Sequence, residues 1–289
     1  MIKNFFQISD LSKDDINAIL RIEASPKKLA GKNIGLLFEK YSTRTRLSFS
    51  VGIHTMGGNC IDLRYSELNI SRAESFEDTF RAFNCYLDGL VFRTNDHQKL
   101  MTAAQYFNKP IINALSDISH PCQILSDLFT IQEKLGSLDV HILWMGDMNN
   151  VTYSLVEAAN LLDQLQLTIC TPGQISSSLH WKMNSNINIV SNLESVDLGK
   201  VNCVMTDVFI SMNDEDSEDK ISLLKPYFVS SELMAKTAPY SIFMHCLPAK
   251  VGLEVSEEVF RSSQSIVWRQ AYNRMVVQNK LMQFMDWEE

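Results

Sequence analysis

The sequence predicts an α/β protein of two domains, each a parallel sheet flanked by helices. Three observations predict it. Short apolar runs alternate with stretches of helical period along the chain. The runs are nearly free of polar residues, as strands covered on both faces are. The alternation restarts after Gly136, in a chain of 289 residues that is long enough for two domains of ordinary size. The boundaries expected are 1–134 for the first domain and 135–269 for the second.

The elements follow in order. Ser12-Lys13-Asp14-Asp15 opens a helix with acids in its first turn, running to about Ile22. Residues 33–38 form a buried strand, and Ser42 is placed to cap the helix that starts at Thr43. Leu47, Val51 and His54 mark that helix by their spacing, and Gly57-Gly58 stops it. Residues 60–63 are a short strand, 69–75 a polar loop, and Glu74 to Asp78 begin a helix. Strand 89–92 ends in Arg93, helix 100–107 leads to strand 110–113, and a helix covers 120–133. In the second half, strand 140–145 leads through Gly146 to Asn150 into helix 153–165. Strands follow at 167–170, 187–190, 201–206, 240–244 and 265–268, and a last helix runs from Ala271 to about Trp287.

Composition narrows the function. A net charge of −8 argues against a nucleic-acid protein, so the Arg-containing run at 42–46 reads as a local site. No apolar stretch reaches the ~20 residues of a membrane helix. Residues 1–7 lack a signal-peptide core. The six cysteines (60, 85, 122, 170, 203, 246) are scattered with no C-x-x-C pair, which predicts reduced thiols and a cytoplasmic protein.

Polar residues recur where strands end, which is where open parallel sheets bind ligands. After the first strand come Ser42, Thr43, Arg44, Thr45 and Arg46. A helix start offers unpartnered N–H groups and a favourable dipole, and arginine forks match phosphate oxygens. That predicts a phosphate site; the alternative is a solvated basic turn paired with acids. Arg93, His120 and Gln123 stand at further strand ends, suited to polarising a carbonyl oxygen. The second half places Asn149, Asn150, Asp207, Ser211, Met212, His245 and Cys246 at its strand ends. Asp207, Asn150 and Cys246 suit an ammonium group and its proton. An anion half and an amine half suggest acyl transfer from an acyl phosphate to an amine. Gly146-Asp147-Met148-Asn149-Asn150 lacks G-x-G-x-x-G, which argues against a nucleotide-binding protein.

Four motifs in this order carry a resemblance: Phe38-Glu39-Lys40-Tyr41-Ser42-Thr43-Arg44-Thr45-Arg46, His120-Pro121-Cys122-Gln123, Asp207-Val208-Phe209-Ile210-Ser211-Met212 and His245-Cys246-Leu247-Pro248. Together they resemble the carbamoyltransferases, and within them the ornithine carbamoyltransferases, from Phe38 to the last helix. The resemblance implies that Ser42, Thr43, Arg44 and Thr45 cradle the phosphate of carbamoyl phosphate. It implies that Arg93, His120, Gln123 and Arg274 hold the carbamoyl group, with Cys246 and the backbone of Leu247 beside the reacting carbon. Asn150, Asp207, Ser211 and Met212 would bind L-ornithine, giving citrulline and phosphate. Of these, Arg93, His120, Cys246 and Arg274 would be catalytic. The last helix, 270–289, would cross back to the first domain. Relatives are trimers or assemblies of trimers, so a homotrimer is implied, with the loop before Glu74 reaching a neighbour. No metal or organic cofactor is expected.

Asn213 after Ser211-Met212, Tyr272 before Asn273-Arg274, Ser71 and Asn69 depart from the family pattern, and bear on loop motion and the neighbour contact. Two rivals follow: a carbamoyltransferase for another amine, putrescine or an acylated ornithine, and a non-catalytic paralogue.

Overall fold

The computed structural model describes residues 2–176, 182–210 and 218–287, and the side chains among them except those of 71 and 72. The chain forms two compact units, Met1–Ser126 with Tyr272–Glu289, and Asp127–Ala271. In the first, α1 (Lys13–Arg21) precedes β1 (Asn33–Phe38), α2 (Thr43–Thr55), β2 (Asn59–Arg64), α3 (Phe76–Phe83), β3 (Gly89–Arg93), α4 (His97–Tyr106) and β4 (Ile111–Leu115). The helix α5 (Pro121–Leu135) begins in this unit. Ser12 starts α1 as its sequence requires: Oγ accepts from the Asp15 N–H at 3.1 Å, and Asp15 Oδ2 accepts from the Ser12 N–H at 2.9 Å.

The four strands are parallel, in the order β2-β1-β3-β4. The chain steps outward from β1 to β2, then resumes beyond the other side of β1 with β3. The switch point of the sheet therefore lies between β1 and β3. Every residue of β3 is buried. The β3–β4 register shifts between Phe92 (paired with Asn113) and Arg93 (paired with Leu115). Such an irregularity re-aims the side chain at the strand end.

The second unit runs β5 (His141–Met145), α6 (Asn150–Leu161), β6 (Gln166–Cys170), α7 (Gly173–Ser176), β7 (Ile187–Val190), β8 (Cys203–Thr206), α8 (Glu218–Leu224), α9 (Ser231–Ala235), β9 (Ile242–His245) and α10 (Glu257–Phe260). Its five strands are parallel, in the order β7-β6-β5-β8-β9, with the switch point between β5 and β8. One core cluster joins Leu143, Cys170, Val204 and Phe243 from the sheet to Leu233, Val259 and Val267.

The last helix, α11 (Val267–Phe284), takes the chain back into the first unit, as the resemblance implies. Within that unit Asn279 Nδ2 donates to Thr55 Oγ1 at 3.1 Å, and Lys32 Nζ donates to the Trp287 carbonyl at 3.0 Å. Two glycines permit this packing. A Cβ on Gly89 would collide with the Trp287 ring, and one on Gly52 would collide with the Asn279 amide.

The structure corrects one expectation, the strand at 265–268, and shows which face of α2 is buried. Leu47 and Val51 are 58% and 46% exposed, and His54 is exposed with them. The buried face of α2 is the opposite one, made by Thr45, Phe49, Gly52 and Ile53. Both faces carry apolar residues, so helical spacing alone selects neither. Residues 265–268 do not form a strand. Ser265 makes a single parallel bridge to Phe243, and α11 begins at Val267, earlier than Ala271. The loop 69–75 contains a short 3-10 turn, Asn69–Arg72. No helix among the described residues is long and apolar enough to cross a membrane.

Candidate active site

The first unit gathers its candidate residues at the switch point between β1 and β3. Arg93 is the last residue of β3, and its Nη1 donates to Ser42 Oγ at 3.3 Å. Ser42 occupies the N-cap position of α2, but its side chain does not cap the helix. In α1, α3, α4 and α6 the cap residues Ser12, Ser75, Asp96 and Asn149 each accept a first-turn N–H. With the Ser42 oxygen turned to Arg93, no N-cap side chain among the described residues takes the first-turn N–H groups of α2. Thr43 and Arg44 are exposed beside them, and Thr45 is buried.

Arg274, on α11, reaches the same cluster. Its Nη1 donates to Gln123 Oε1, and its Nη2 stands 3.5 Å from Thr45 Oγ1. Arg93, His120, Gln123 and Arg274 are all buried. His120 lies just before α5, in the turn after β4. Burial, then the charges of Arg274 and Arg93, hold its imidazole well below its usual pKa of 6.5. The group is two guanidiniums, a neutral imidazole and an amide. It offers N–H donors and positive charge to an oxyanion, and no proton acceptor stronger than a neutral imidazole.

Arg46 does not join them. It pairs with Asp62 on β2, and its guanidinium carbon lies 4.8 Å from the Phe38 ring centroid. Of the two guanidiniums at this turn, that of Arg46 is tied to an acid, as the solvated-turn alternative expects, while Arg44 is exposed and no described residue forms an ion pair with it.

The second unit builds its group at the switch point between β5 and β8. Asp207 follows β8, Asn149 precedes α6, and Cys246 follows β9. Asn149 Nδ2 donates to Asp207 Oδ2 at 2.7 Å, and Cys246 Sγ donates to Oδ1 at 2.7 Å. Asn149 Oδ1 meanwhile caps α6, accepting from the N–H groups of Val151 and Thr152 at 2.9 and 3.3 Å. Asn149 is the partner of Asp207 that sequence reasoning passed over in favour of Asn150, the first residue of α6. Its signal was the N-cap preference for asparagine. Ser211, Met212 and Asn213 lie outside the described residues.

Leu247 has φ +61, a left-handed conformation that a side chain disfavours. Its N–H donates to His245 Nδ1 at 2.9 Å. His245 is fully buried, with Nε2 3.7 Å from Glu254 Oε2, and its own N–H donates to Gln270 Oε1 at 2.9 Å. The Cys246–Leu247 turn thus hangs from a buried polar support. Asp207, His245 and Cys246 bring one ligand-type atom each within 4.8 Å. The thiol is engaged by the carboxylate, and Nδ1 of the imidazole by Leu247.

Residues 3–133 match the family model described as aspartate/ornithine carbamoyltransferase, carbamoyl-P binding domain. Residues 138–285 match the one described as aspartate/ornithine carbamoyltransferase, Asp/Orn binding domain. The chain is 38% identical to the ornithine carbamoyltransferase of Brucella abortus, over 97% of this chain and 95% of that one. It is 39% identical to that of Methanosphaera stadtmanae, over 97% and 98%. Among solved structures, the anabolic ornithine carbamoyltransferase of Campylobacter jejuni superposes with a TM-score of 0.87 at 31% identity, covering 97% of each chain. The Thermus thermophilus ornithine carbamoyltransferase does so with a TM-score of 0.87 at 28% identity, covering 99% of this chain and 100% of that one.

Proposed function

The chain belongs to the aspartate/ornithine carbamoyltransferase family, and on that premise we propose that it transfers the carbamoyl group of carbamoyl phosphate to the side-chain amine of L-ornithine. The products are L-citrulline and phosphate. The observation that carries the reading is the buried cluster of Arg93, His120, Gln123 and Arg274 beside the uncapped start of α2.

Carbamoyl phosphate binds the first unit in this reading. The first turn of α2, with Ser42, Thr43, Arg44 and Thr45, takes the phosphate. Arg93, His120, Gln123 and Arg274 take the carbamoyl oxygen and nitrogen. Ornithine binds the second unit, with its α-amino group on Asp207 and with Asn150, Ser211 and Met212 completing its pocket. The neutral side-chain amine attacks the carbamoyl carbon. A C–N bond forms, the carbonyl oxygen gains charge, and donors from Arg93 and His120 stabilise it; losing one such donor typically costs about 10²–10³ in rate. The C–O bond to phosphate then breaks. The departing phosphate takes the proton from the attacking nitrogen. A neutral His120 donates its hydrogen bond without adding a third positive charge between two arginines. Cys246, hydrogen-bonded to Asp207, orients the amine and forms no bond to carbon, and Leu247 flanks it. No metal or organic cofactor enters these steps.

The ornithine branch is favoured by Asp207 and Cys246, which lie 2.7 Å apart. Putrescine has no α-amino group for the carboxylate to bind. A homotrimer is supported by the exposed apolar side chains of Leu47 and Val51 on α2 and of Ile61 on the edge strand β2, which a second copy would cover. A cytoplasmic location is supported by the six free cysteines. The test is product formation from carbamoyl phosphate with L-ornithine, putrescine and an acylated ornithine in parallel. Citrulline as the dominant product supports the reading. Faster carbamoylation of another amine, or no product from any, refutes it.

A further inference from the structure

Glu39 and Lys99 form a charged arrangement at the same sheet edge, outside the residues assigned to either substrate. Glu39 is the first residue after β1, and its side chain is only 8% exposed. Its N–H donates to the Arg93 carbonyl at 3.0 Å. Its carboxylate accepts from Thr94 Oγ1 at 2.6 Å, the Asn95 N–H at 3.3 Å and Lys99 Nζ at 2.6 Å. Thr94 and Asn95 follow Arg93. One carboxylate therefore ties the loop that leads from β1 through Ser42 into α2 to the loop that follows Arg93.

Lys99 reaches Glu39 from α4, with its ammonium 5.5 Å from the Tyr65 ring centroid. Burial pulls the Lys99 pKa down, but the hydrogen bond and charge of Glu39 outweigh it, and the net shift is upward. Lys99 is thus charged at neutral pH. A buried carboxylate three residues before an anion-binding turn would repel a phosphate if left alone, and low local dielectric strengthens that repulsion. We propose that Lys99 is a positioning residue for carbamoyl phosphate. It neutralises Glu39, so that the carboxylate holds the two strand-end loops together without opposing the anion. The inference rests on the reading that the turn Ser42–Arg44 takes the phosphate.

The test compares wild type, Lys99→Met, Lys99→Arg and the double variant Glu39→Gln/Lys99→Met. Two readouts are taken: the affinity of inorganic phosphate by calorimetry, and the KM and kcat for carbamoyl phosphate. Lys99 is 36% exposed, so its replacement leaves the core intact. Lys99→Met is expected to weaken phosphate binding and raise the carbamoyl phosphate KM by about tenfold or more, with a smaller change in kcat. The effect is expected to be larger at low ionic strength. Lys99→Arg restores both, and the double variant, lacking both charges, returns to within about threefold of wild type. Wild-type phosphate affinity in Lys99→Met overturns the proposal, as does a double variant as weak as the single one. A loss confined to kcat and thermal stability marks a merely structural lysine and also overturns it. Wild-type protein that shows this phosphate pattern but forms no citrulline sinks the carbamoyl-transfer reading and leaves the role of Lys99 standing.

Discussion

Asp207→Asn removes one charge and nearly no volume, so its effect isolates the electrostatics of the amine pocket. The carboxylate is buried, and both its oxygens are engaged, Oδ1 by the Cys246 thiol and Oδ2 by Asn149 Nδ2. Asparagine has one oxygen and an NH2 group. Either Cys246 or Asn149 then faces a donor instead of an acceptor, and an ammonium loses its counter-charge. A hydrogen bond to a charged group contributes about 1.5–3 kcal/mol. At about 1.4 kcal/mol per factor of ten, the ornithine KM is expected to rise about 10- to 150-fold. The carbamoyl phosphate KM is expected to stay within about threefold, because the residues assigned to it here lie mostly in the other unit. Preference for ornithine over putrescine is expected to shrink by a similar factor, since only ornithine has the group that Asp207 binds. Steady-state kinetics with each substrate varied in turn measure all three. An unchanged ornithine KM, or equal losses for both substrates, would refute the assignment of Asp207.

Three further outcomes follow from the geometry. Arg44→Ala is expected to raise the carbamoyl phosphate KM by about tenfold or more, while Arg46→Ala, whose guanidinium is paired with Asp62, shifts it by less than about threefold; equal effects contradict the division between them. His120 has a folded pKa well below its usual 6.5, so the unfolded chain takes up a proton that the folded one refuses. Its contribution is complete above about pH 6.5 and is lost as pH falls from there toward the folded pKa, at up to about 1.4 kcal/mol per unit. Denaturant titrations of His120→Gln between about pH 7 and 5 should therefore show a shallower fall in stability than wild type, and an identical slope sinks the point. Gly89→Ala drives a methyl group into the Trp287 ring and is expected to cost about 1–3 kcal/mol, lowering Tm by about 2–4 °C for each; a wild-type melt contradicts that packing.

Much of this was legible in the residues. Parallel strands buried on both faces read as apolar runs, so β1 carries the expected bounds at Asn33–Phe38; β7, a less buried edge strand, also keeps its expected bounds, Ile187–Val190, through its β-branched residues. Polar residues at strand ends were legible too, because a short strand leaves nowhere else for Arg93 or Asp207 to stand. What escaped depends on partners far away in the chain. Nothing near Arg46 announces Asp62, and nothing near Glu39 announces Lys99. The buried face of α2 escaped because Phe49 and Ile53 on one side compete with Leu47 and Val51 on the other. Only the packing of α11 against Gly52 shows which side is covered within the unit. The 265–268 run escaped because Val267 serves equally well in a buried strand or at the start of a buried helix.

The most direct measurement is a time course of citrulline and phosphate with purified protein, carbamoyl phosphate and L-ornithine, run beside His120→Ala and Arg93→Ala. Citrulline and phosphate should appear in equal amounts, ornithine should be required, and each variant should lose about 10²–10³ in kcat. Phosphate release that ignores ornithine, or full turnover without Arg93 and His120, would contradict the claim that this buried cluster activates a carbamoyl group for attack by an amine.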